Sequence, residues 1–121
     1  MAQTWPTKTV KVLVGFPAGS SPDVLARIVA EDLSKKYKQP FIVENRPGAG
    51  GLIALKQMIQ NNDDHQFVVS PNGPLTTAPL LYKSFSINPS KDYQAVGLLA
   101  RSPLVFLWWP AAQFTKIWVI S

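Results

Sequence analysis

The segment Val10–Asp23, VKVLVGFPAGSSPD, constrains the fold more than any other part of the chain. Its apolar run Val10–Val14 reads as a buried parallel strand, because a strand covered on both faces loses the polar alternation of a half-exposed one. The run leads directly into Gly15-Phe16-Pro17-Ala18-Gly19-Ser20-Ser21, where Pro17 and Gly19 break the strand. A helix follows at once. Ser21 is a capping residue, Pro22 suits the first helical position, and Asp23 faces the positive end of the helix dipole. A strand that ends in a small-residue loop at a helix N-terminus makes a crevice with unpaired amides, and such a crevice favours an anion.

The same pattern recurs downstream. Val24, Leu25, Ile28, Val29 and Leu33 repeat at helical spacing, which predicts one apolar face ending before Pro40. Phe41-Ile42-Val43 reads as a second strand, and Glu44-Asn45-Arg46-Pro47-Gly48-Ala49-Gly50-Gly51 as a second small-residue loop. Leu52, Leu55, Met58 and Ile59 mark a second amphipathic helix, followed by the polar turn Asn61–His65. Phe67–Ser70 is a third strand ending in the turn Pro71-Asn72-Gly73-Pro74. Leu75–Leu81 reads as a short helix and Ser86–Asp92 as loop; Val96–Ala100 and Leu104–Leu107 read as further strands. Strand, helix, strand, helix, strand at short spacing predicts an α/β fold built on a right-handed parallel βαβαβ unit. Its three post-strand loops are expected to meet at one sheet edge, where such sheets bind ligands.

Composition narrows the function classes. The 121 residues suffice for one domain with a real core, and 46% hydrophobic with 16% charged residues describes a globular chain. The net charge of +5 is scattered; its densest cluster, Lys35-Lys36-Lys38, closes a helix as an ordinary dipole complement, so nucleic acid is not an expected partner. A positive field still draws in anionic solutes. The absence of cysteine excludes disulfides and thiolate metal sites. No stretch is long and apolar enough to span a bilayer, and Met1-Ala2-Gln3-Thr4 has neither the basic nor the apolar segment of a signal peptide.

Catalytic patterns are weak. The lone histidine, His65, lies in a polar turn and is expected to be solvated, as are Asp63 and Asp64. No serine sits in a nucleophile elbow, and no metal-ligand spacing is present, so neither a cofactor nor a metal is expected. The second loop lacks the Gly-Lys-Ser/Thr ending that grips a nucleotide. Its Arg46 could pair with a carboxylate or tie the loop to Glu44 or to the chain surface, the structural role being favoured, and its glycines are expected to let the second helix approach the sheet. In the first loop, the amides of Ala18, Gly19, Ser20 and Ser21, the two serine hydroxyls and a wall from Phe16 suit a carboxylate. The same residues equally suit a helix cap and a tight turn. Asp23 would repel a carboxylate and reads as a loop-ordering residue. In the third loop Ser70, Asn72, Gly73, Thr76 and Thr77 offer neutral donors on a strand of the same sheet, which favours the ligand reading there.

Three blocks taken in order, GFPAGSSPDVLARIVAEDLSKKY, QPFIVENRPGAGG and NGPLTTAPLLYKSFSINPSKDYQAVGLLA, resemble the start of the Bug (TctC-like) family. These are extracytoplasmic solute receptors of tripartite tricarboxylate transporters. The resemblance runs from about Trp5 to Leu107 and implies a type II periplasmic-binding-protein fold. It also implies a periplasmic location, small carboxylates as solutes and transporter subunits as partners. It brings the ligand reading of Phe16, Ala18, Gly19, Ser20 and Ser21 to the front. Ser20 stands where the family typically has glycine. On this view residues 1–107 are the N-terminal part of one lobe, incomplete and without the second lobe, and 108–121 form an atypical tail rich in tryptophan. An exposed apolar surface then predicts homo-oligomers. Two other readings remain: an α/β enzyme or nucleotide-binding domain using the glycine-rich loops, and a truncated remnant without transport function.

Overall fold

The β1 strand, Val10–Val14, is the centre of the molecule, and its neighbours follow from its sequence. In the computed structural model, which describes residues 4–84, 86–102, 105–106 and 118–119, β1 pairs in parallel with β2 (Phe41–Asn45) and with β3 (Gln66–Val69). The sheet order is β2-β1-β3. Val10, Leu13 and Val14 are fully buried and Val12 nearly so. A strand with neighbours on both sides and helices on both faces stays mostly apolar, and within β1 only Lys11 is exposed, its ammonium reaching Glu44 of β2.

Between the strands run α1 (Ser21–Tyr37) and α2 (Leu52–Asn61). Helix α1 packs on the face of Val10, Val12 and Val14, with Phe41, Val43, Phe67 and Val69 completing that layer. Leu13 points to the opposite face by the period of two in a strand. There α2 buries Leu52, Ala54 and Leu55. Each large side chain so buried contributes roughly 1.5–3 kcal/mol. The parallel βαβαβ unit expected from the sequence is present, with each strand boundary shifted by no more than two residues.

The helix faces need correction. The buried residues of α1 are Asp23, Ala26 and Ala30, not the predicted stripe. Val24 is 48% and Ile28 55% exposed, while Leu25, Val29 and Leu33 are half-buried. Alanine permits the helix axis to sit close to the sheet, so the bulky residues flank the contact rather than fill it. Ser34 helps close this layer: its hydroxyl donates to the Ala30 carbonyl and accepts the Phe41 amide. Lys38, in the left-handed conformation, ends the helix by donating its amide to the Ser34 carbonyl.

His65 is likewise not solvated. It is 5% exposed, and its Nε2 accepts the Thr7 amide at 3.0 Å. Nδ1 therefore carries the proton and donates to Asp64 at 2.5 Å. Trp5 lies over this end of the sheet, edge-on to Tyr37, Phe41 and Phe67, and its indole donates to the Asp64 carbonyl. The reason is spatial: residues 63–65 form the entry to β3, against which the lead-in to β1 must run. Asp63, accepting the His65 amide and then Lys8, has its carboxyl held below the ordinary value.

Beyond β3 come two short helices, α3 (Asn72–Thr76) and α4 (Ala78–Leu81), in place of the single stretch expected. Residues 86–92 are loop, as predicted. Val96–Ala100 is not a strand: it has no ladder partner among the described residues, and Val96 and Leu98 are largely exposed. An apolar run becomes a strand only where a neighbour takes its backbone bonds. Val105–Phe106 (β4) pairs antiparallel with Trp118–Val119 (β5), inside the predicted strand at 104–107; Leu104, Leu107 and the rest of the tail lie outside the described residues.

Candidate functional site

The carboxyl ends of β1, β2 and β3 bring the three loops to one edge, and backbone contact shows how tightly. A Cβ placed on Gly15 would lie 2.4 Å from the Gly51 Cα, and one on Gly51 would meet the Phe16 ring at 3.3 Å and Pro74 at 3.4 Å. The first loop, the start of α2 and the start of α3 thus share a single junction. Gly51 also holds a left-handed φ of 99°, which a side chain would strain. The expectation that the glycines admit α2 to the sheet is met at Gly51. The Arg46 amide continues the ladder to the Val14 carbonyl at 2.7 Å.

The first loop is gripped by a buried carboxylate. Asp23 is 2% exposed. Its Oδ2 accepts the Gly19 amide at 2.8 Å and Arg27 Nε at 3.0 Å; its Oδ1 accepts Asn45 Nδ2 at 2.9 Å. Asn45 Nδ2 also donates to the Phe16 carbonyl at 3.0 Å. The Arg27 guanidinium, followed by the Gly19 amide and Asn45, holds the Asp23 carboxyl down at about 2. The loop-ordering reading of Asp23 agrees with this geometry. The part of Asn45 was not read from the sequence. The only sequence signal was the i,i+4 pairing of Asp23 with Arg27.

The expected donors of the first loop divide in two. Gly19 gives its amide to Asp23, and Ser20 gives its amide to the Pro17 carbonyl at 3.2 Å and its hydroxyl to the same atom at 2.7 Å. Ser20, not Ser21, is the helix cap position, and it makes no side-chain cap bond. The Ala18 and Ser21 amides and the Ser21 hydroxyl make no hydrogen bond to another described residue. Both residues are exposed, at the N-terminus of a 17-residue helix whose dipole favours an anion. Phe16 is half-buried, with its ring beside Gly51.

The third loop is more self-contained. The Thr76 hydroxyl donates to the Asn72 carbonyl at 3.0 Å and lies 3.3 Å from its side-chain oxygen and 3.4 Å from the Thr77 hydroxyl. Ser70 donates to the Pro71 carbonyl. Pro71 and Asn72 begin α3, so the predicted turn is the entry to a helix. Gly73 is exposed, with open space where a side chain would stand. In the second loop Arg46 meets Glu44 at 3.4 Å, as expected, and Glu44 also takes Lys11 across the strands at 3.3 Å.

Two open grooves lie elsewhere: about 400 Å³ along α2 beside Ile53 and Lys56, and about 340 Å³ between α1 and β2 beside Arg27 and Phe41. Neither is lined by a predicted site residue. Asp63, Asp64 and His65 bring ligand atoms within 4.8 Å of one another. The His65 nitrogens are already committed, one as donor to Asp64 and one as acceptor from Thr7, so this cluster reads as a structural clasp.

Comparison with known proteins identifies this architecture. Residues 25–117 match the tripartite tricarboxylate transporter family receptor. A UPF0065 protein of Bordetella bronchiseptica is 39% identical over 104 residues, covering 85% of this chain and 31% of its own length. Among solved structures, MatC from Rhodopseudomonas palustris with bound malate superposes with a TM-score of 0.75 at 32% identity, over 84% of this chain and 35% of that one. A second R. palustris protein, Rpa4515 with adipate, gives a TM-score of 0.65 at 34% identity over 72% of this chain and 29% of its own. The chain belongs to the tripartite tricarboxylate transporter receptor family, whose members are periplasmic solute receptors, and it spans about a third of the length of these relatives. The match continues past Leu107, where the resemblance was expected to end. The fold is part of a periplasmic-binding-protein lobe.

Two outcomes test this geometry. Gly15→Ala is expected to cost at least ~1–3 kcal/mol, because its methyl meets backbone that cannot rotate away; urea unfolding followed by circular dichroism measures it. Asp23 binds its proton less readily in the folded chain than at its ordinary value of 3.8. Its contribution to stability is therefore complete above about 4 and is lost as pH falls toward about 2. A carboxyl-carbon NMR titration of Asp23 should give a midpoint near 2, moving up toward 3.8 in Arg27→Gln.

Proposed function

We propose that this chain supplies one wall of a periplasmic receptor that captures a small di- or tricarboxylate for a tripartite transporter in the membrane. The observation that carries this reading is the pair of amides, Ala18 and Ser21, that have no partner among the described residues, at the N-terminus of α1 in a chain of this receptor family. The malate and adipate bound by its structural neighbours are both small dicarboxylates. A carboxylate oxygen here would take the Ala18 and Ser21 amides and the Ser21 hydroxyl, with the helix dipole behind them. Gly19 and Ser20 shape the loop rather than donate to the solute. Ser70, Asn72, Gly73, Thr76 and Thr77 border the same edge and would read the remainder of the solute. The role is capture without chemistry, and transporter subunits would receive the loaded receptor.

Residues 1–107 then act as the N-terminal part of one lobe. The solute's far side stays in water on this chain alone. Each charge-assisted bond contributes ~1.5–3 kcal/mol, against at least ~4 kcal/mol for lost translational and rotational freedom. Malate titrated into the 121-residue chain should bind with a dissociation constant of about 1 mM or weaker, more weakly in high salt. Amide NMR shifts at Ala18 and Ser21 report it, and Ser21→Ala should weaken it severalfold. Micromolar binding would show that this chain alone closes the site and would overturn the one-wall account, and shifts confined to another edge would sink the carboxylate reading.

The apolar residues Leu80, Leu81, Tyr82, Val96, Leu98 and Leu99 are all exposed. We read them as a self-associating surface in this chain. Sedimentation at rising concentration should show species heavier than 13.3 kDa; a monomer at every concentration would refute it.

A further inference from the structure

The carboxylate of Asp23 stands on the edge where an anion would bind, which is electrostatically the wrong sign. Its surroundings explain why it is there. The side chain is 3% exposed, while its partner Arg27 is 54% exposed. The three groups that approach Asp23 are all donors: the Gly19 amide, Arg27 Nε and Asn45 Nδ2. Asn45 then passes the constraint on to the Phe16 carbonyl. The first turn of the loop is thus held at Phe16 and at Gly19 by two side chains, one from α1 and one from the end of β2. Between and beside these anchors sit Ala18 and Ser21, whose amides have no partner among the described residues.

We propose that Asp23 is a positioning residue for solute capture: with Asn45 it fixes the loop so that the Ala18 and Ser21 amides face the solute carboxylate. This rests on the receptor reading above. Asp23 itself does not touch the solute. Its effect runs through Gly19 and, by way of Asn45, through Phe16.

The amide of Asn is nearly the same shape as the carboxylate, yet it cannot replace it. With its oxygen toward Gly19 and Arg27, the Asp23→Asn nitrogen faces the Asn45 amino group. Turning Asn45 over to accept that nitrogen places its oxygen against the Phe16 carbonyl oxygen. In the first arrangement the bond that ties the two anchors together is lost, and in the second the Phe16 anchor itself is lost. Coulomb attraction alone predicts the opposite result for binding. Removing a negative charge beside an anion site should tighten it.

The sign of the change is the test. Malate is titrated into the 121-residue chain and into Asp23→Asn, and the amides of Ala18 and Ser21 are followed by NMR, with the dispersion of the β1 amides as the folding control. The expected result is at least a tenfold weaker response in folded Asp23→Asn, despite the lost negative charge. If Asp23→Asn does not fold, Asn45→Ala takes its place; it keeps the charge of Asp23 and releases Phe16, and the same loss is expected. Equal or tighter malate binding in either folded variant overturns the proposal. A wild-type chain whose Ala18 and Ser21 amides ignore malate overturns the receptor reading, and the proposal with it.

Discussion

The near contact of Gly15 with Gly51 is the constraint on which the rest depends. Three parallel strands must each release a loop at the same edge, and two crossover helices must start there without colliding. A backbone-to-backbone approach at which a Cβ would lie 2.4 Å from the opposing Cα leaves no room for any side chain. It lets α2 begin directly against the end of β1, with the Phe16 ring and Pro74 closing over Gly51. Because α1 and α2 cover opposite faces, the sheet order reverses at β1, and the edge above it becomes the natural crevice. The placement of the candidate site is thus a consequence of topology, settled before any polar residue is considered.

Polar residues decide what that crevice accepts. A helix N-terminus favours negative charge, and the chain spends part of that field on its own Asp23. The arrangement resembles a capping box, with the acidic side chain reaching back to an amide before the helix. Arg27 on the next turn balances the charge, so the remaining amides are not left facing an uncompensated carboxylate. A buried carboxylate with only donors around it is rigid in a way that a hydroxyl cap is not, because it has no proton to reorient. Ser20 adds to this. By closing on the Pro17 carbonyl it turns its hydroxyl into part of the loop, although a free hydroxyl at this position was the sequence expectation.

Strand positions were legible because β1 is apolar apart from Lys11 and each strand ends in or just before glycine, proline or asparagine. Those signals are local. The buried face of α1 was not legible, since periodicity ranks residues by hydrophobicity while the sheet selects by size. Ala26 and Ala30 win the contact, and Val24 and Ile28 are pushed outward. His65 was misread for a related reason. It lies in a run of polar residues, and only the lead-in at Trp5–Lys8, some sixty residues earlier, covers it. The triad of Asp23, Arg27 and Asn45 was half visible: a helical spacing of four links the first two, but the third arrives through strand pairing. Val96–Ala100 failed as a strand because an apolar run states a preference and not a partner.

The proposed recognition by main-chain amides has a consequence for selectivity. An amide reads a carboxylate oxygen and nothing about the carbon skeleton that carries it. Malate and adipate, bound by two neighbours of this fold, share their carboxylates and differ in length. A loop like that of Ala18 and Ser21 can serve either without change. Discrimination must then come from groups that meet the other end of the solute, where a misplaced polar atom is left unpaired and costs ~1–3 kcal/mol. The first loop is therefore the part of the site under the strictest geometric demand and the least chemical one. On the proposed reading it must hold two amides in place; a buried carboxylate and an asparagine stand behind the loop, which would leave the surface facing the solute to the backbone.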